Sequence, residues 1–111
     1  MSRQYYTYRY TVNCNIVTDP QLLILASLAD GEKHGYAIME DVARFAGIRL
    51  GAGTLYGAVT RLEERGWIRR VDSEDRRKPY RITGAGERHL EEQMAGLERV
   101  VKTAQRRLRH A

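Results

Sequence analysis

The stretch that most constrains the fold is residues 51–68 of this 111-residue chain. Its apolar residues recur at helical spacing and form a single stripe, which consists of Leu55, Ala58, Val59 and Leu62. The opposite face carries Gly53, Gly57, Thr60, Arg61 and Glu64, with Thr54 and Tyr56 on its flanks. Gly66 lies where such a helix would end, and an extended segment begins at Trp67. We therefore expect a short helix whose outer face fits one groove of a nucleic acid, followed directly by a strand.

Two helices are predicted ahead of this one. Asp19 can cap free backbone N–H groups, and Pro20 suits the first position of a helix that ends near residues 30–31. Apolar residues at i, i+3, i+4 and i+7 predict a half-buried second helix over residues 36–46, and Gly47 is a suitable stop. Two helices joined by a brief glycine-containing turn, the second with a polar outer face, form a helix-turn-helix arrangement.

A β-hairpin is predicted after the third helix. Residues 67–71 and 80–83 are strand-like, and residues 72–75 form a cluster of turn-forming residues. A hairpin directly after a helix-turn-helix is a wing. Its tip carries the consecutive cations Arg76, Arg77 and Lys78. Such a run often forms only a solvated loop, but here it would lie beside the third helix, so we expect it to contact phosphates.

The last predicted element is one long helix over residues 84–109, roughly 40 Å in length. Its apolar residues are spaced four, three, four, three and four apart: Leu90, Met94, Leu97, Val101, Ala104 and Leu108. This is the a/d pattern of a coiled coil. The seam would pack against a partner helix, most simply from a second copy, or the helix would fold back on its own domain. The predicted fold class is mainly α with a small β-hairpin: a winged helix-turn-helix plus a long C-terminal dimerisation helix.

Three regions follow from these elements. Residues 18–83 form the winged helix-turn-helix, and residues 84–111 form the dimerisation helix. Residues 1–17 are an N-terminal extension in which Tyr6, Tyr8 and Tyr10 alternate with polar residues. The alternation continues to residue 16 and favours a strand. The segment could equally be a flexible arm or lie upstream of the natural domain, and an aromatic strand could pair with a partner subunit or cover the core.

Composition narrows the function classes. The formal net charge is +5 and the isoelectric point is about 9.7, a balance that favours anionic partners such as nucleic acid. Cys14 is the only cysteine, so no intramolecular disulfide or cysteine-rich zinc site can form. The histidines at 34, 89 and 110 lack the spacing of metal ligands. We therefore expect no metal and no cofactor.

The sequence contains no motif that indicates a membrane or catalytic function. No apolar run is long enough for a transmembrane span, and the N-terminus lacks the apolar region of a signal peptide, so we expect a cytoplasmic protein. The glycines at 51, 53 and 57 have the spacing GxGxxxG, with no preceding strand and no following GKS or GKT, so they do not form a phosphate loop. No catalytic constellation stands out, and we expect that the protein is not an enzyme.

Four segments, in order, resemble the PadR family of bacterial transcriptional regulators: residues 34–38 (HGYAI), 53–56 (GTLY), 61–68 (RLEERGWI) and 77–86 (RKPYRITGAG). The resemblance covers about residues 20–108 and is closest to the short subgroup with one C-terminal helix. It implies a winged helix-turn-helix with a C-terminal dimerisation helix. It also implies a homodimer that binds double-stranded DNA at a pseudo-palindromic operator, usually as a repressor that a small molecule releases.

The resemblance also suggests site residues. Tyr36, Thr54 and Tyr56 match the family's DNA-facing positions, and Gly53 would let the helix start approach the DNA backbone closely. From their place on the outer face, Thr60 and Arg61 are predicted to contact base edges. Arg61 could instead pair with Glu64.

Two departures limit the transfer from the family. The tyrosine-rich N-terminus is longer than the family pattern. Some relatives bind flat aromatic ligands between tryptophans on the final helix, and this helix has none. The only tryptophan, Trp67, is predicted to be part of the core.

Two further functions stay open. The protein could be a ligand sensor, in which an apolar gap between the dimer helices and the first helix binds a planar aromatic or drug-like effector. It could also be a protein-interaction module that uses the winged fold without DNA, through the N-terminal segment or the heptad seam.

Overall fold

A computed structural model describes residues 19–73 and 76–110. In this part of the chain the elements are α1 (Pro20–Leu28), α2 (Gly35–Ala46), α3 (Ala52–Glu64), β1 (Ile68–Arg70), β2 (Tyr80–Ile82) and α4 (Gly84–Arg109). This is a mainly helical fold with one two-stranded antiparallel hairpin, as predicted. The strand predicted in residues 1–17 lies outside the described residues.

The helix ends follow from local side-chain chemistry. The Asp19 carboxylate accepts a hydrogen bond from the Gln21 N–H at 3.0 Å, which satisfies one free donor at the start of α1. The Thr83 hydroxyl accepts one from the Gly86 N–H at 3.0 Å and caps α4 in the same way. The cap at Asp19 confirms the prediction for the start of α1. After α2, Gly47 has a φ of 69°, a left-handed conformation that glycine adopts without strain.

Several boundaries differ from the prediction, and α1 ends at Leu28, before the stop predicted near residues 30–31. Helix α2 begins one residue earlier, at Gly35, with His34 as its extended N-cap residue. The strands are shorter, with three residues each, because only Ile68 to Arg70 pair with Ile82 to Tyr80. Trp67 lies outside the strand and packs, partly buried, against the core, as predicted.

The core lies between α1, α2, α3 and the hairpin. Leu55, Ala58, Val59 and Leu62, the predicted stripe of α3, are at most 2% exposed. Helix α1 contributes Leu23, Ile24, Leu25 and Leu28. Its buried Ser27 donates a hydrogen bond to the Asp41 carboxylate on α2 at 2.8 Å, so the polar group is satisfied inside the core. The outer face of α3 is therefore fixed in direction by an apolar face that is completely packed.

The wing is joined to the helix-turn-helix by backbone hydrogen bonds. The Lys33 N–H donates to the Tyr80 carbonyl at 3.1 Å, and the Tyr80 N–H donates to the Lys33 carbonyl at 2.9 Å. Lys33 precedes α2, so this pair links the loop end of the hairpin, where β2 begins, to the segment that leads into α2. The wing and the start of α2 are held in one arrangement.

The first turns of α4 pack against the domain. A Cβ atom at Gly86 would lie 2.0 Å from the Trp67 carbonyl oxygen, so only glycine fits at this approach. Leu90 is 7% exposed and belongs to the core of its own domain. The sequence predicts Leu90 as the first residue of the dimerisation seam. In the structure it is instead buried in the core of its own domain, because this part of α4 packs against α1.

Beyond Leu90 the apolar side chains of α4 are open to solvent. Met94 is 54% exposed, Leu97 44%, Val101 40% and Leu108 76%, and Ala104 is also exposed. Val100, which the heptad pattern did not include, is 67% exposed and widens this surface. We call the surface formed by Met94, Leu97, Val100, Val101, Ala104 and Leu108 the α4 seam. Within the described residues it has no packing partner.

Candidate nucleic-acid interface

The outer face of α3 is open and carries few large side chains. Gly53, Thr54, Gly57, Thr60 and Arg61 are all exposed. A Cβ atom at Gly53 or Gly57 would meet no atom within 4 Å, so neither glycine is required by packing inside the domain. Interior glycines cost a helix about 1 kcal/mol each relative to alanine. The two positions therefore leave the backbone of α3 accessible to a surface outside the domain.

Arg61 lies at the edge of this face, beside α1. It lines an open groove of about 500 Å³ together with Pro20, Gln21, Gly53, Thr54, Gly57 and Ala58. The sequence leaves open that Arg61 pairs with Glu64 instead of contacting DNA. In the described part of the chain no such ion pair forms. Arg65, one turn further along α3, donates a hydrogen bond to the Gln21 side chain at 2.9 Å. The Arg61 guanidinium is thus left available for an external acceptor.

Thr60 has its hydroxyl occupied within the helix. The Thr60 Oγ1 donates a hydrogen bond to the Tyr56 carbonyl oxygen, one turn earlier, at 2.9 Å. Threonine commonly makes this bond in helices. The donor that was predicted to contact a base edge is therefore already paired.

Tyr56 lies at the other edge of the outer face, where α3 meets the start of α2. A Cβ atom at Gly35 would lie 2.5 Å from the Tyr56 hydroxyl oxygen, so the glycine provides the space in which the phenol lies. Tyr56 is 47% exposed and Tyr36 is 63% exposed. Two phenol groups are thus presented beside the N-terminus of α2.

A cleft between this edge and the wing combines phenols with cations. It has a volume of about 230 Å³ and is lined by His34, Gly35, Tyr36, Tyr56, Arg70, Arg76, Arg77, Lys78 and Tyr80. No carboxylate is among the described residues that line it. Hydroxyl and cationic donors that converge on a small open cleft suit the oxygens of a phosphate group. We call it the wing cleft.

Contacts within the hairpin orient two of these cations. The Arg70 guanidinium donates a hydrogen bond to the Tyr80 hydroxyl at 3.0 Å and lies 5.3 Å from the centre of that ring. Lys78 forms an ion pair with Asp72 at 3.3 Å, and both side chains are largely exposed. Such an exposed pair is weak and exchanges readily with solvent or another anion.

The structure places most of the predicted site residues in two groups, one at each edge of the outer face of α3. Tyr36, Tyr56, Arg76, Arg77 and Lys78 line the wing cleft, while Gly53, Thr54 and Arg61 line the groove along α3. Thr60 is exposed on the same helix and lines neither.

Sequence reasoning missed Arg70 and the role of Gly35. Arg70 pairs with Tyr80 across the hairpin, and this register places it in the cleft. The pairing of Arg70 with Tyr80 could have been inferred only if the exact ends of both strands had been known.

Two other kinds of site, a metal centre and a membrane span, are absent from residues 19–73 and 76–110. No three His, Cys, Asp or Glu side chains lie together in a way that could hold a metal ion. In the same residues, none of the helices combines the length and the apolar character needed to cross a bilayer.

Comparison with known proteins decides the family. The model of the Transcriptional regulator PadR-like family matches residues 24–92, which include the second half of α1, all of α2 and α3, the hairpin and the start of α4. The chain belongs to the PadR-like family. Transcriptional regulator Rv3488 of Mycobacterium tuberculosis is 36% identical over 85 residues, which cover 74% of this chain and 78% of that protein.

A second relative is much longer than this chain. An uncharacterized 37.1 kDa protein in transposon TN4556 of Streptomyces fradiae is 42% identical over 82 residues, or 74% of this chain. These residues span only 24% of the Streptomyces protein.

Solved structures agree on the fold. A PadR family transcription regulator from Clostridium difficile R20291 superimposes with a TM-score of 0.72 at 26% identity, covering 80% of this chain and 97% of that one. The family, the Mycobacterium relative and the Clostridium difficile structure are transcription regulators, so the prediction that this PadR-like protein is not an enzyme is confirmed.

Proposed function

We propose that this PadR-like protein is a homodimeric repressor that binds a pseudo-palindromic operator. The observation that carries the proposal is Tyr56, which connects two surfaces of different chemistry. It lies on α3 at the edge of the exposed face and also lines the basic wing cleft. Because Tyr56 belongs to both surfaces, they can bind the same duplex. The outer face of α3 would contact base edges in the major groove, and the wing cleft would contact the neighbouring phosphates.

The two surfaces have separate tasks in this proposal. The wing cleft holds a phosphate through its cations and phenol hydroxyls, which supplies affinity and sets the register of the protein on DNA. The outer face of α3 enters the major groove, where the pattern of donors and acceptors distinguishes the four base pairs. The first contacts are independent of sequence and the second depend on it.

The second copy is proposed from the α4 seam. Its members, Met94 to Leu108, are exposed apolar residues on a helix that extends beyond the core. Pairing two such helices would remove this surface from water. Two α3 helices in one dimer would then read two half-sites about one turn apart, roughly 34 Å.

The test combines salt dependence with matched charge removal. Arg77→Ala and Lys78→Ala should each weaken binding to all duplexes and lower the salt slope by about 1. Lys102→Ala is the control, because Lys102 is an exposed cation on α4 that pairs with Glu98 at 3.8 Å, away from the wing. Equal losses for all three variants, or none for the wing variants, would show that the cleft does not contact phosphate.

Release by a small aromatic or drug-like effector is the finer part of the proposal. Val100 lies outside the a/d positions of the heptad pattern. When two α4 helices pair through their a/d residues, the Val100 side chains would add apolar surface at the edge of the dimer interface, where a compound could bind. A compound bound there would raise the melting temperature and lower operator affinity together. A melting temperature that no planar aromatic compound changes would count against release by this route.

A protein-interaction role without DNA is the alternative. It would use the same exposed α4 seam for a different protein. The absence of any binding to DNA upstream of its own gene, together with a stable complex with another protein, would favour it.

A further inference from the structure

The centre of the outer face of α3 is formed by one row of residues. Gly53, Gly57, Thr60 and Glu64 follow the i, i+4, i+7, i+11 spacing that places residues on one line along a helix. The first two have no side chain, and Glu64 is the last residue of α3. Thr60 is thus the only side chain near the middle of the row.

The hydrogen bond of Thr60 decides which of its groups faces outward. Oγ1 is held 2.9 Å from the Tyr56 carbonyl oxygen of its own helix, and the residue is exposed. The Cβ atom of threonine carries only a hydroxyl and a methyl group. Because the hydroxyl turns back to the helix backbone, the methyl group is the part that an approaching surface meets.

Base pairs offer a specific partner for a methyl group. In the major groove thymine presents its C5-methyl, and apolar contact with it distinguishes thymine from the other bases. Donation from Thr60 to a base acceptor would instead require the loss of the bond to Tyr56. The bare backbone at Gly53 and Gly57 lets a side chain as short as threonine come close enough to the groove floor for such a contact.

Arg61, the next residue along α3, can contact a neighbouring base. Arg61 lines the open groove beside α1, and its guanidinium has no ion-pair partner among the described residues. A planar group with parallel N–H donors matches the O6 and N7 acceptors of guanine. Arg61 and Thr60 are adjacent in the chain, so the bases they contact lie close together in one half-site.

From these contacts we propose that Thr60 recognises a thymine through its methyl group and Arg61 recognises a nearby guanine. The proposal rests on the function proposed above and specifies it. Each half-site then contains one thymine whose methyl group is needed and one guanine whose N7 is needed. The hydroxyl of Thr60 makes no contribution to base choice.

The experiment starts from the DNA that the full-length protein selects from random duplexes. Each thymine of the selected half-site is replaced in turn by deoxyuridine, which lacks only the C5-methyl. One replacement should weaken wild-type binding about threefold to fivefold, the effect of one buried methyl group. Replacing one guanine by 7-deazaguanine should weaken it about tenfold, and Arg61→Ala should abolish that difference.

Two variants separate the methyl from the hydroxyl. Thr60→Val keeps a methyl group and loses the hydroxyl, and it should still prefer thymine over uracil at that position. Thr60→Ser keeps the hydroxyl and loses the methyl, and it should bind both duplexes equally. Circular dichroism confirms that each variant is folded.

The outcomes distinguish this inference from the proposed function. If Thr60→Val loses the preference and Thr60→Ser keeps it, the hydroxyl reads the base and the inference is overturned. If no thymine of the half-site responds to deoxyuridine in the wild type, the methyl contact does not exist, although DNA binding stands. If the wild type selects no duplex at all, the proposed function fails as well.

Discussion

Gly57 is the position where the stability of the fold and the proposed function make opposite demands. It lies in the middle of α3, is exposed, and has no atom within 4 Å of the place where a Cβ would be. Gly57→Ala should therefore stabilise the protein by about 1 kcal/mol, the difference between the two residues inside a helix. For a domain of this size the gain corresponds to a rise in melting temperature of roughly 3–6 °C.

The same methyl group should weaken DNA binding. It would stand on the central row of the outer face, where the proposal places the closest approach of the groove. An extra methyl group in a filled space costs about 1–3 kcal/mol, so affinity should fall roughly fivefold to a hundredfold. Differential scanning calorimetry measures the stability and fluorescence anisotropy with labelled operator measures the dissociation constant.

Gly96→Ala is the matched control for Gly57→Ala. Gly96 lies inside α4, and the nearest atom to its Cβ position, Arg99 Nη2, is 4.0 Å away. This variant should gain stability in the same way without a change in operator affinity. If Gly57→Ala becomes more stable and binds operator as tightly as the wild type, the close approach of DNA to α3 is refuted.

Three further changes test other parts of the structure. Gly86→Ala should lower the free energy of unfolding by about 3 kcal/mol or more, measured by urea denaturation, because its Cβ would collide with the Trp67 carbonyl; wild-type stability would contradict that packing. Gly35→Ala should displace the Tyr56 ring and lower operator affinity, and it should also lower the melting temperature because the new Cβ would lie 3.2 Å from the buried Leu55 side chain; unaltered affinity would remove Tyr56 from the interface. Leu97→Glu should convert the dimer to a folded monomer in analytical ultracentrifugation, since a charge cannot be buried unpaired in the α4 seam; a persistent dimer would place the interface elsewhere.

The helices could be predicted because their signals are local. Asp19 and Thr83 cap α1 and α4 through hydrogen bonds to residues two and three positions away, and the apolar stripe of α3 repeats at helical spacing. Each of these signals is contained in a few consecutive residues. The family resemblance likewise depended on short motifs whose order and spacing are visible in the chain.

Features that depend on distant residues could not be predicted. Leu90 continues the heptad spacing without a break, yet it is buried in its own domain because α4 starts beside α1. His89, one residue earlier, stacks on Trp67 with ring centres 3.6 Å apart, a contact that no local pattern indicates. Periodicity identifies an apolar face of a helix and leaves its partner undefined.

The glycines show the same limit at the site. Gly35 and Gly86 are required by close contacts with Tyr56 and Trp67, whereas Gly53 and Gly57 have open space around them. All four appear alike in the sequence. Only the structure separates glycines that packing inside the domain requires from glycines that leave a surface bare.

The central claim is that two copies of α3 and the wing bind one duplex, and a hydroxyl-radical footprint on DNA upstream of the protein's own gene tests it most directly. We expect two protected stretches about one helical turn apart, roughly 34 Å, related by a dyad in the sequence and lost together as salt is raised. A folded protein that protects no DNA there, or only a single stretch without a dyad, would contradict the account.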